Sequence, residues 1–154
     1  MKISTNASLN YFINANGEIL LQKKARGLGV GKWNGVGGKA EPGENILVAA
    51  KREVWEEAVV KAENLEKIGY LEYIWPPEHE QKNWAVHVFL IREWAGEPKD
   101  GGEGELKWFK KEQFPIAEMW DDDQYWLSDA LSGKLPKMRF YLDEFGDTLR
   151  FENI

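Results

Sequence analysis

The pattern of apolar positions along the chain predicts a series of short strands. Three runs are rich in β-branched, aliphatic and aromatic residues, the composition of buried strands. They cover residues 68–75, 84–92 and 106–109. Pro76 and Pro77 are expected to end the first run, because proline has no N–H to donate to a sheet.

Two further pairs of apolar runs predict β-hairpins. Residues 11–13 and 19–21 flank Asn14-Ala15-Asn16-Gly17, whose Asn-Gly step suits the positive φ angles of a tight turn. Residues 138–142 and 148–152 flank a second turn around Phe145-Gly146-Asp147. The pattern therefore predicts a hairpin near each end of the chain.

Two segments have the spacing of helices. Residues 45–58 carry apolar side chains at close to helical spacing, and Asn45 is a suitable N-cap. Residues 123–131 predict a second helix that ends near Gly133, because glycine readily adopts the left-handed conformation after a helix. A glycine-rich loop covers residues 27–43.

These elements predict an α/β (α+β) fold, in which a mixed β-sheet is sandwiched between helices. The sequence contains no internal repeat, linker or low-complexity tract. We therefore expect residues 1–154 to form a single domain.

Composition narrows the classes of function. The chain has no cysteine, so disulfides and thiolate metal sites are excluded, and a metal ion would need oxygen ligands, His79 or His87. Abundant oxygen ligands favour Mg²⁺ or Mn²⁺. The formal charge of −6 argues against binding of polymeric nucleic acid, which normally needs a basic surface. A small polyanion remains compatible with this charge when divalent cations bridge it to carboxylates.

The N-terminal residues do not form a signal-peptide pattern, and no apolar run approaches the roughly 18 residues of a membrane span. We expect a cytoplasmic protein without a membrane partner, present as a monomer or a weak dimer.

Acidic residues cluster on the first predicted helix. Glu53, Glu56 and Glu57 are related by i+3 and i+4 spacing, so their side chains share one face of the helix. Each unfavourable pair costs a few tenths of a kcal/mol, and a bound cation would reverse the sign of this interaction. A merely solvated acidic face is the structural alternative.

The spacing of the acids also matches a known motif. Gly38, Glu44 and the run Arg52-Glu53-Val54-Trp55-Glu56-Glu57 fit the Nudix box, Gly-x5-Glu-x7-Arg-Glu-apolar-x-Glu-Glu-x-Gly. The chain thus resembles the Nudix family of hydrolases. It departs from the box at Val59, which replaces the last glycine. Because a β-branched residue tolerates positive φ poorly, we expect the helix to end differently here. We expect activity to survive, because the carboxylates precede this point in the chain.

The resemblance implies a Mg²⁺ or Mn²⁺ site in a loop–helix–loop. The implied metal-site residues are Gly38, Glu53, Glu56, Glu57 and Glu103. One of the carboxylates would also orient the attacking water.

Neighbouring charged residues receive supporting roles from the same resemblance. Arg52 is implied to pair with the helix carboxylates, and Glu44 is assigned either to metal support or to Arg52. Glu103, five residues before Trp108, matches a position where the family tends to supply an extra metal ligand or base, and Glu105 is its competitor.

Three runs outside the box resemble the MutT-homologue branch of the family, which hydrolyses oxidised purine nucleoside triphosphates. They are residues 31–39, 85–89 and 114–126. By this resemblance Trp120 stacks on the purine, Asp122 and Asp123 hydrogen-bond its Watson–Crick edge, and Asn34 contacts another edge.

The remaining residues expected in the substrate site would line the pocket or steer the phosphates. They are Lys24, Leu28, Gly37, Gly38, Lys39, Tyr73, Trp75 and Trp84. The structural alternative is that the tryptophans belong to the core and that the run of three Asp is only a helix N-terminus. Burial and like-charge repulsion within this run predict a raised pKa for at least one carboxyl, which would then donate a hydrogen bond to the base.

The predicted function is metal-dependent hydrolysis of 8-oxo-dGTP, 2-hydroxy-dATP or their ribose forms to the monophosphate and pyrophosphate. This activity would sanitise the nucleotide pool. Two alternatives remain at this point. One is a Nudix hydrolase for another nucleoside diphosphate derivative, such as a dinucleoside polyphosphate or ADP-ribose. The other is a non-catalytic nucleotide-binding regulator.

Overall fold

The computed structural model describes residues 2–154, which form eleven strands and two α-helices. The strands are β1 Thr5–Phe12, β2 Ile19–Lys24, β3 Trp33–Asn34, β4 Val36–Lys39, β5 Lys61–Ala62, β6 Leu65–Ile74, β7 Trp84–Ile91, β8 Trp94–Ala95, β9 Gly104–Phe109, β10 Lys137–Leu142 and β11 Thr148–Asn153. The α-helices are α1 Ile46–Ala58 and α2 Asp123–Leu131. Short 3-10 helices cover Pro77–Lys82, Lys111–Gln113 and Ile116–Glu118. No helix within residues 2–154 combines the length and apolar character needed to cross a bilayer.

Six strands form one mixed sheet in the order β11-β10-β6-β7-β1-β4. β1 runs parallel to β7, and β6 runs parallel to β10, whereas the other neighbours are antiparallel. Strands β3, β2 and β9 form a second sheet, and β5 pairs with β8. Strand β4 is therefore an edge of the mixed sheet.

The mixed sheet is covered by a helix on each face. Side chains alternate between the faces of a strand, so Tyr11 of β1 joins one apolar cluster and Phe12 joins the other. Trp126 of α2 packs in the cluster of Tyr11, and Val54 of α1 packs in that of Phe12. The predicted α/β fold with a mixed sheet between helices is confirmed.

Most predicted elements are present with shifted ends. The strand predicted over residues 68–75 is β6, which begins at Leu65 and ends at Ile74. The strand predicted over 106–109 is β9, which already begins at Gly104. The pattern did not indicate β3 and β4, which lie inside the glycine-rich loop, or the short strands β5 and β8. The C-terminal hairpin is confirmed as β10 and β11.

The predicted N-terminal hairpin is wrong beyond its turn. Gly17 has the expected positive φ of 76°, and the Asn14 N–H donates to the Glu18 carbonyl at 3.1 Å. Past a single bridge between Ile13 and Ile19, however, the two strands separate. They cannot continue as a hairpin because β4 and β7 occupy both edges of β1, while β3 and β9 occupy both edges of β2.

Helix α1 begins as predicted but ends in an unexpected conformation. The Asn45 side chain caps the helix by accepting the Leu47 N–H at 2.9 Å. At the C-terminus Val59 adopts φ 56° and ψ 38°, so the prediction that a valine would avoid the left-handed conformation is wrong. The loop that follows β8 explains this result. The Lys99 N–H donates to the Ala58 carbonyl and the Gly101 N–H to the Glu57 carbonyl, at 2.9 and 3.0 Å. These bonds hold the helix end in place.

Replacing Val59 with glycine should stabilise the protein. A left-handed L-residue costs about 1–2 kcal/mol, and the greater chain entropy of unfolded glycine offsets part of the gain. We expect the free energy of unfolding to rise by about 1 kcal/mol, measured as a higher urea midpoint with an unchanged m-value. Val59→Ala keeps Cβ and should give no gain. Equal or lower stability of Val59→Gly would show that Val59 is not strained.

Candidate active site

Close approach between α1 and the edge strand β4 creates an acidic site. A Cβ atom on Gly38 would lie 2.6 Å from the carboxylate of Glu53, so any side chain here would displace that carboxylate. A Cβ atom on Gly37 would lie 2.0 Å from the Ser8 carbonyl oxygen of β1. Gly38 therefore leaves room for Glu53 beside the backbone of β4, and Gly37 lets β4 lie close to β1.

Arg52 holds three carboxylates around one guanidinium. It donates to both oxygens of Glu44 at 2.9 and 2.8 Å, a bidentate geometry, and its Nη1 lies 2.9 Å from Glu53 and 3.3 Å from Glu56. Its Nη2 also donates to the Lys39 carbonyl at 3.2 Å. The guanidinium lowers the pKa of Glu44 to about 2. Of the two roles considered for Glu44, the geometry therefore matches the contact with Arg52.

Glu57 differs from the other acids because it is buried. Burial, followed by repulsion from Glu53, raises the pKa of Glu57 to about 8. The Gly37 N–H, at 3.4 Å, and the charge of Lys24 oppose this shift only in part. Burial also raises the pKa of Glu53, although Arg52 opposes the shift. For both carboxyls, the effect of burial on the pKa is larger than the opposing effect of the positive charges nearby.

Glu103 lies on the opposite side of the same cleft. The cleft has a volume of about 440 Å³. It is lined by Glu53, Trp55, Glu56, Glu57, Val59, Gly101 and Glu103. The Asp100 side chain accepts the Gly102 and Gly104 N–H groups, and the Arg26 guanidinium donates to the Gly102 carbonyl, so the loop is fixed. Glu105 is exposed on β9 and does not line the cleft.

The donor set of this cleft fits a hard divalent cation. It offers carboxylate oxygens, and a cation would compensate the desolvation that raises the pKa values of Glu53 and Glu57. The small Gly38 leaves room for Glu53 beside the backbone. Within residues 2–154, no three His, Asp or Glu side chains already stand together at ligand spacing. Glu53 and Glu56 turn to Arg52 instead.

A second site lies on the α2 face of the mixed sheet, around the indole of Trp120. This half-buried ring lies between two loops. Cβ atoms on Gly29 and Gly146 would lie 2.9 and 2.8 Å from it. The ammonium of Lys32 lies over the ring, 5.1 Å from its centroid. Trp120 thus presents a fixed aromatic surface with a cation beside it.

The carboxylate of Asp122 is committed to aromatic donors. It accepts the Tyr73 hydroxyl at 2.6 Å and the Trp126 indole N–H at 2.8 Å. It makes no capping bond to α2, although it occupies the N-cap position. A helix N-terminus alone does not explain this side chain. Burial raises the pKa of Asp122, and the bonds from Tyr73 and Trp126 oppose the shift.

Asp123 is buried with an oxygen that makes no hydrogen bond. Its Oδ2 has no partner among the residues described. Burial raises the pKa of Asp123 well above its usual value, and repulsion from Asp122 and Asp121 adds to the shift, while Lys32 opposes it. The predicted raised pKa within the Asp run is confirmed, and Asp123 carries the larger effect. A protonated Asp123 has a hydrogen-bond donor free for a ligand.

Asn34 lies beside the two Asp residues through its contact with Tyr11. Its Oδ1 accepts the Tyr11 hydroxyl at 3.2 Å and the Gly35 N–H at 2.9 Å. Asp123 and Asp122 both raise the pKa of Tyr11, after burial, which shows their proximity. The Asn34 amide group remains available as a donor.

The other predicted substrate-site residues fall at the edges of these two sites. Trp75 is buried, and Trp84 is half-buried beside Tyr73 on the α2 face, with the Lys39 ammonium 4.8 Å from its ring centroid. Leu28 is exposed on the glycine-rich loop. Lys24 is exposed and acts electrostatically on Glu57.

Sequence reasoning did not identify four residues that shape the second site. They are Tyr11, Lys32, Asp121 and Trp126. Lys32 and Trp126 lie within runs that carried the family resemblance, but only their contacts show a role. Two histidines were possible metal ligands by composition. His87 instead contacts Lys67 and Asn6, and neither His87 nor His79 lines the acidic cleft.

Comparisons with known proteins give one consistent result. Residues 5–130 match the family model of the NUDIX domain. The chain is 40% identical over 118 residues to the oxidized purine nucleoside triphosphate hydrolase of Danio rerio, covering 77% of this chain and 74% of that protein. It is 32% identical over 110 residues to the 8-oxo-dGTP diphosphatase of Escherichia coli K12, covering 68% and 82%.

A solved structure agrees with this result along nearly the whole chain. A MutT protein from Bacillus halodurans aligns with a TM-score of 0.83 and 27% identity, covering 97% of each chain. The family model covers most of the chain. It includes the residues described for both sites, apart from Gly146 in the C-terminal hairpin. The chain therefore belongs to the Nudix family of hydrolases.

Proposed function

We propose that this protein hydrolyses oxidised purine nucleoside triphosphates, such as 8-oxo-dGTP and 2-hydroxy-dATP, to the monophosphate and pyrophosphate. Its role would be sanitisation of the nucleotide pool by a single domain. One observation carries the proposal. An acidic cleft on one face of the mixed sheet adjoins the edge strand β4, and a site with aromatic and acidic residues lies on the other face. The names of the relatives from Danio rerio and Escherichia coli support the same substrate class.

Nudix hydrolases generally need a divalent metal ion, and we propose Mg²⁺, with Mn²⁺ as a substitute. The residues that would hold it are Glu53, Glu56, Glu57, Glu103 and the backbone of Gly38. When bound, the ion neutralises phosphate oxygens and lowers the pKa of a coordinated water. Arg52 acts as the positioning residue, because it contacts both Glu53 and Glu56. Lys24 and Lys39 attract the phosphates.

The base would bind against Trp120, with Tyr73, Trp75, Trp84 and Leu28 around it. Asp123 would be protonated and donate to the base, and the ionised Asp122 would accept from it. Two chemically identical side chains thereby supply a donor and an acceptor. Their different contacts support this division, because Asp122 receives two hydrogen bonds and Asp123 Oδ2 receives none. Asn34 would contact another edge of the purine.

A turnover screen tests the proposed function directly. We expect kcat/KM for 8-oxo-dGTP to exceed that for dGTP by at least about tenfold. Trp120→Ala should raise KM for 8-oxo-dGTP by about 10- to 100-fold, because stacking of a base contributes about 1–3 kcal/mol. Hydrolysis of ADP-ribose or a dinucleoside polyphosphate should stay low in both proteins. A preference for those substrates that Trp120→Ala does not change would contradict the purine-selective assignment.

Loss of one carboxylate from the acidic cleft should abolish turnover without unfolding the protein. The Glu56 side chain is 53% exposed, so Glu56→Gln should leave Tm nearly unchanged. Mg²⁺-dependent release of pyrophosphate should fall by at least about 100-fold, since the ion loses a charged ligand. Glu105→Gln, on β9 outside the cleft, is the matched control and should keep full activity. Undiminished pyrophosphate release by Glu56→Gln would remove Glu56 from the metal site.

The pH dependence of KM tests the role of Asp123. Below its raised pKa Asp123 is protonated and donates to the base, and above it the donor is lost, so KM should rise as pH increases through this pKa. Asn at this position donates at every pH, so Asp123→Asn should have a flatter KM profile between about pH 6 and pH 9. Asp129→Asn changes an exposed residue of the same helix and should keep the wild-type profile. Identical profiles for Asp123→Asn and wild type would refute the role.

A further inference from the structure

The C-terminal hairpin contacts the base site although it lies outside the family match, which ends at residue 130. We propose that its turn, residues 143–147, is a positioning element that determines selectivity for the purine base. This inference rests on the proposed function, because it concerns the same substrate. It assigns Gly146, Asp121 and Thr148 as positioning residues, which act through Trp120 and Trp75.

Gly146 lies directly against two aromatic rings of the site. A Cβ atom at this position would lie 2.8 Å from Trp120 Cζ3 and 3.1 Å from Trp75 Cη2. Real Cβ atoms essentially never come so close to a ring carbon, so any side chain here would displace an indole. The turn therefore determines where Trp120 can stand, and with it the position of a stacked base.

Asp121 connects the base site to the same hairpin. Its Oδ1 accepts the Thr148 hydroxyl at 2.8 Å and its Oδ2 accepts the Thr148 N–H at 3.0 Å. Asp121 follows Trp120 and precedes Asp122 in the chain, so this pair of bonds holds the base-site loop on β11. In the run of three Asp, this carboxylate is used for anchoring.

A third contact joins β10 to the acids of the site. The rings of Phe140 and Tyr73 are stacked with centroids 5.6 Å apart. The Tyr73 hydroxyl in turn donates to Asp122 at 2.6 Å. The hairpin thus contacts Trp120, Trp75 and Tyr73, whereas the glycine-rich loop approaches other atoms of the Trp120 ring at Gly29.

The chain contains a second turn of the same geometry, whose glycine faces open space. In residues 14–18, as in 143–147, the first side chain accepts the N–H groups of the third and fifth residues. In both turns the first N–H donates to the fifth carbonyl, and the glycine N–H donates to the first carbonyl. Gly17 and Gly146 have φ of 76° and 90°. A Cβ atom on Gly17 would meet nothing within 4 Å.

Gly17→Ala is therefore a matched control for Gly146→Ala. Both changes place alanine at a positive φ in the same type of turn, so both should lower Tm, and Gly146→Ala should lower it more because its Cβ also meets the indoles. Only Gly146→Ala should move an indole. We expect it to lower the ratio of kcat/KM for 8-oxo-dGTP over dGTP by at least about fivefold, through KM, with kcat within about twofold of wild type. Gly17→Ala should keep the wild-type ratio.

A second pair of variants tests the same element without strain in the turn. Asp121→Ala removes the acceptor for Thr148 and should also lower the selectivity ratio. Asp121→Asn keeps an acceptor oxygen for the Thr148 hydroxyl and N–H, so it should restore most of the ratio. If Asp121 had a merely structural role, its loss would change kcat/KM by the same factor for both substrates. The ratio of kcat/KM for 8-oxo-dGTP over dGTP would then stay unchanged.

The outcomes separate this inference from the proposed function. Wild-type protein that releases pyrophosphate from neither 8-oxo-dGTP nor dGTP would overturn the proposed function, and this inference with it. An active wild type whose selectivity is the same in Gly146→Ala and Gly17→Ala would overturn the inference alone. If Gly146→Ala does not fold, equal selectivity of Asp121→Ala, Asp121→Asn and wild type would overturn it.

Discussion

The contact between Glu53 and the backbone at Gly38 is the constraint on which the rest of the active site depends. β4 is the edge strand of the mixed sheet, and Gly38 leaves room for the Glu53 carboxylate between β4 and α1. A Cβ atom at residue 38 would displace the Glu53 carboxylate. Glu53 would then lose its place beside the backbone of β4, in the cleft that Glu103 also lines. The edge position also matters for the proposed function, because a nucleotide that reaches both sites would have to pass around the edge strand from one face of the sheet to the other.

Two groups of carboxylates in this fold differ in their surroundings. Glu44, Glu53 and Glu56 share Arg52, which lowers the pKa of Glu44 and opposes the rise in the pKa of Glu53. Asp122 and Asp123, at the start of α2, are buried, and only Lys32 acts against the rise in the pKa of Asp123. A guanidinium therefore stands beside the carboxylates where a cation would bind, whereas protonation of Asp123 is favoured where a neutral base would bind. In the proposed function, the same type of side chain would serve two kinds of recognition because its surroundings differ.

The sequence was sufficient to predict those parts of the fold and site that depend on local spacing. The acidic face of α1 follows from i+3 and i+4 periodicity, and the strands follow from runs of apolar residues. The separation of β1 and β2 does not, since it depends on which distant strands occupy their edges. The left-handed Val59 was missed for a similar reason. Its conformation depends on the loop around Gly101, which packs against the end of α1. No local sequence pattern indicates this contact.

The base site shows the same limit more clearly. Trp120, Asp122 and Asp123 come from one short run, so a family resemblance was enough to nominate them. What distinguishes the three consecutive Asp residues is the partner of each one: Thr148 for Asp121, Tyr73 and Trp126 for Asp122, and none for Asp123 Oδ2. These partners come from β11, β6 and α2, which lie far apart in the chain. A base site assembled in this way could change its selectivity through residues that never touch the substrate, because the tail hairpin contacts the rings that line the site. The family match ends before this hairpin, so differences in selectivity between relatives that share the Nudix box are to be sought in such supporting elements as well as in the box.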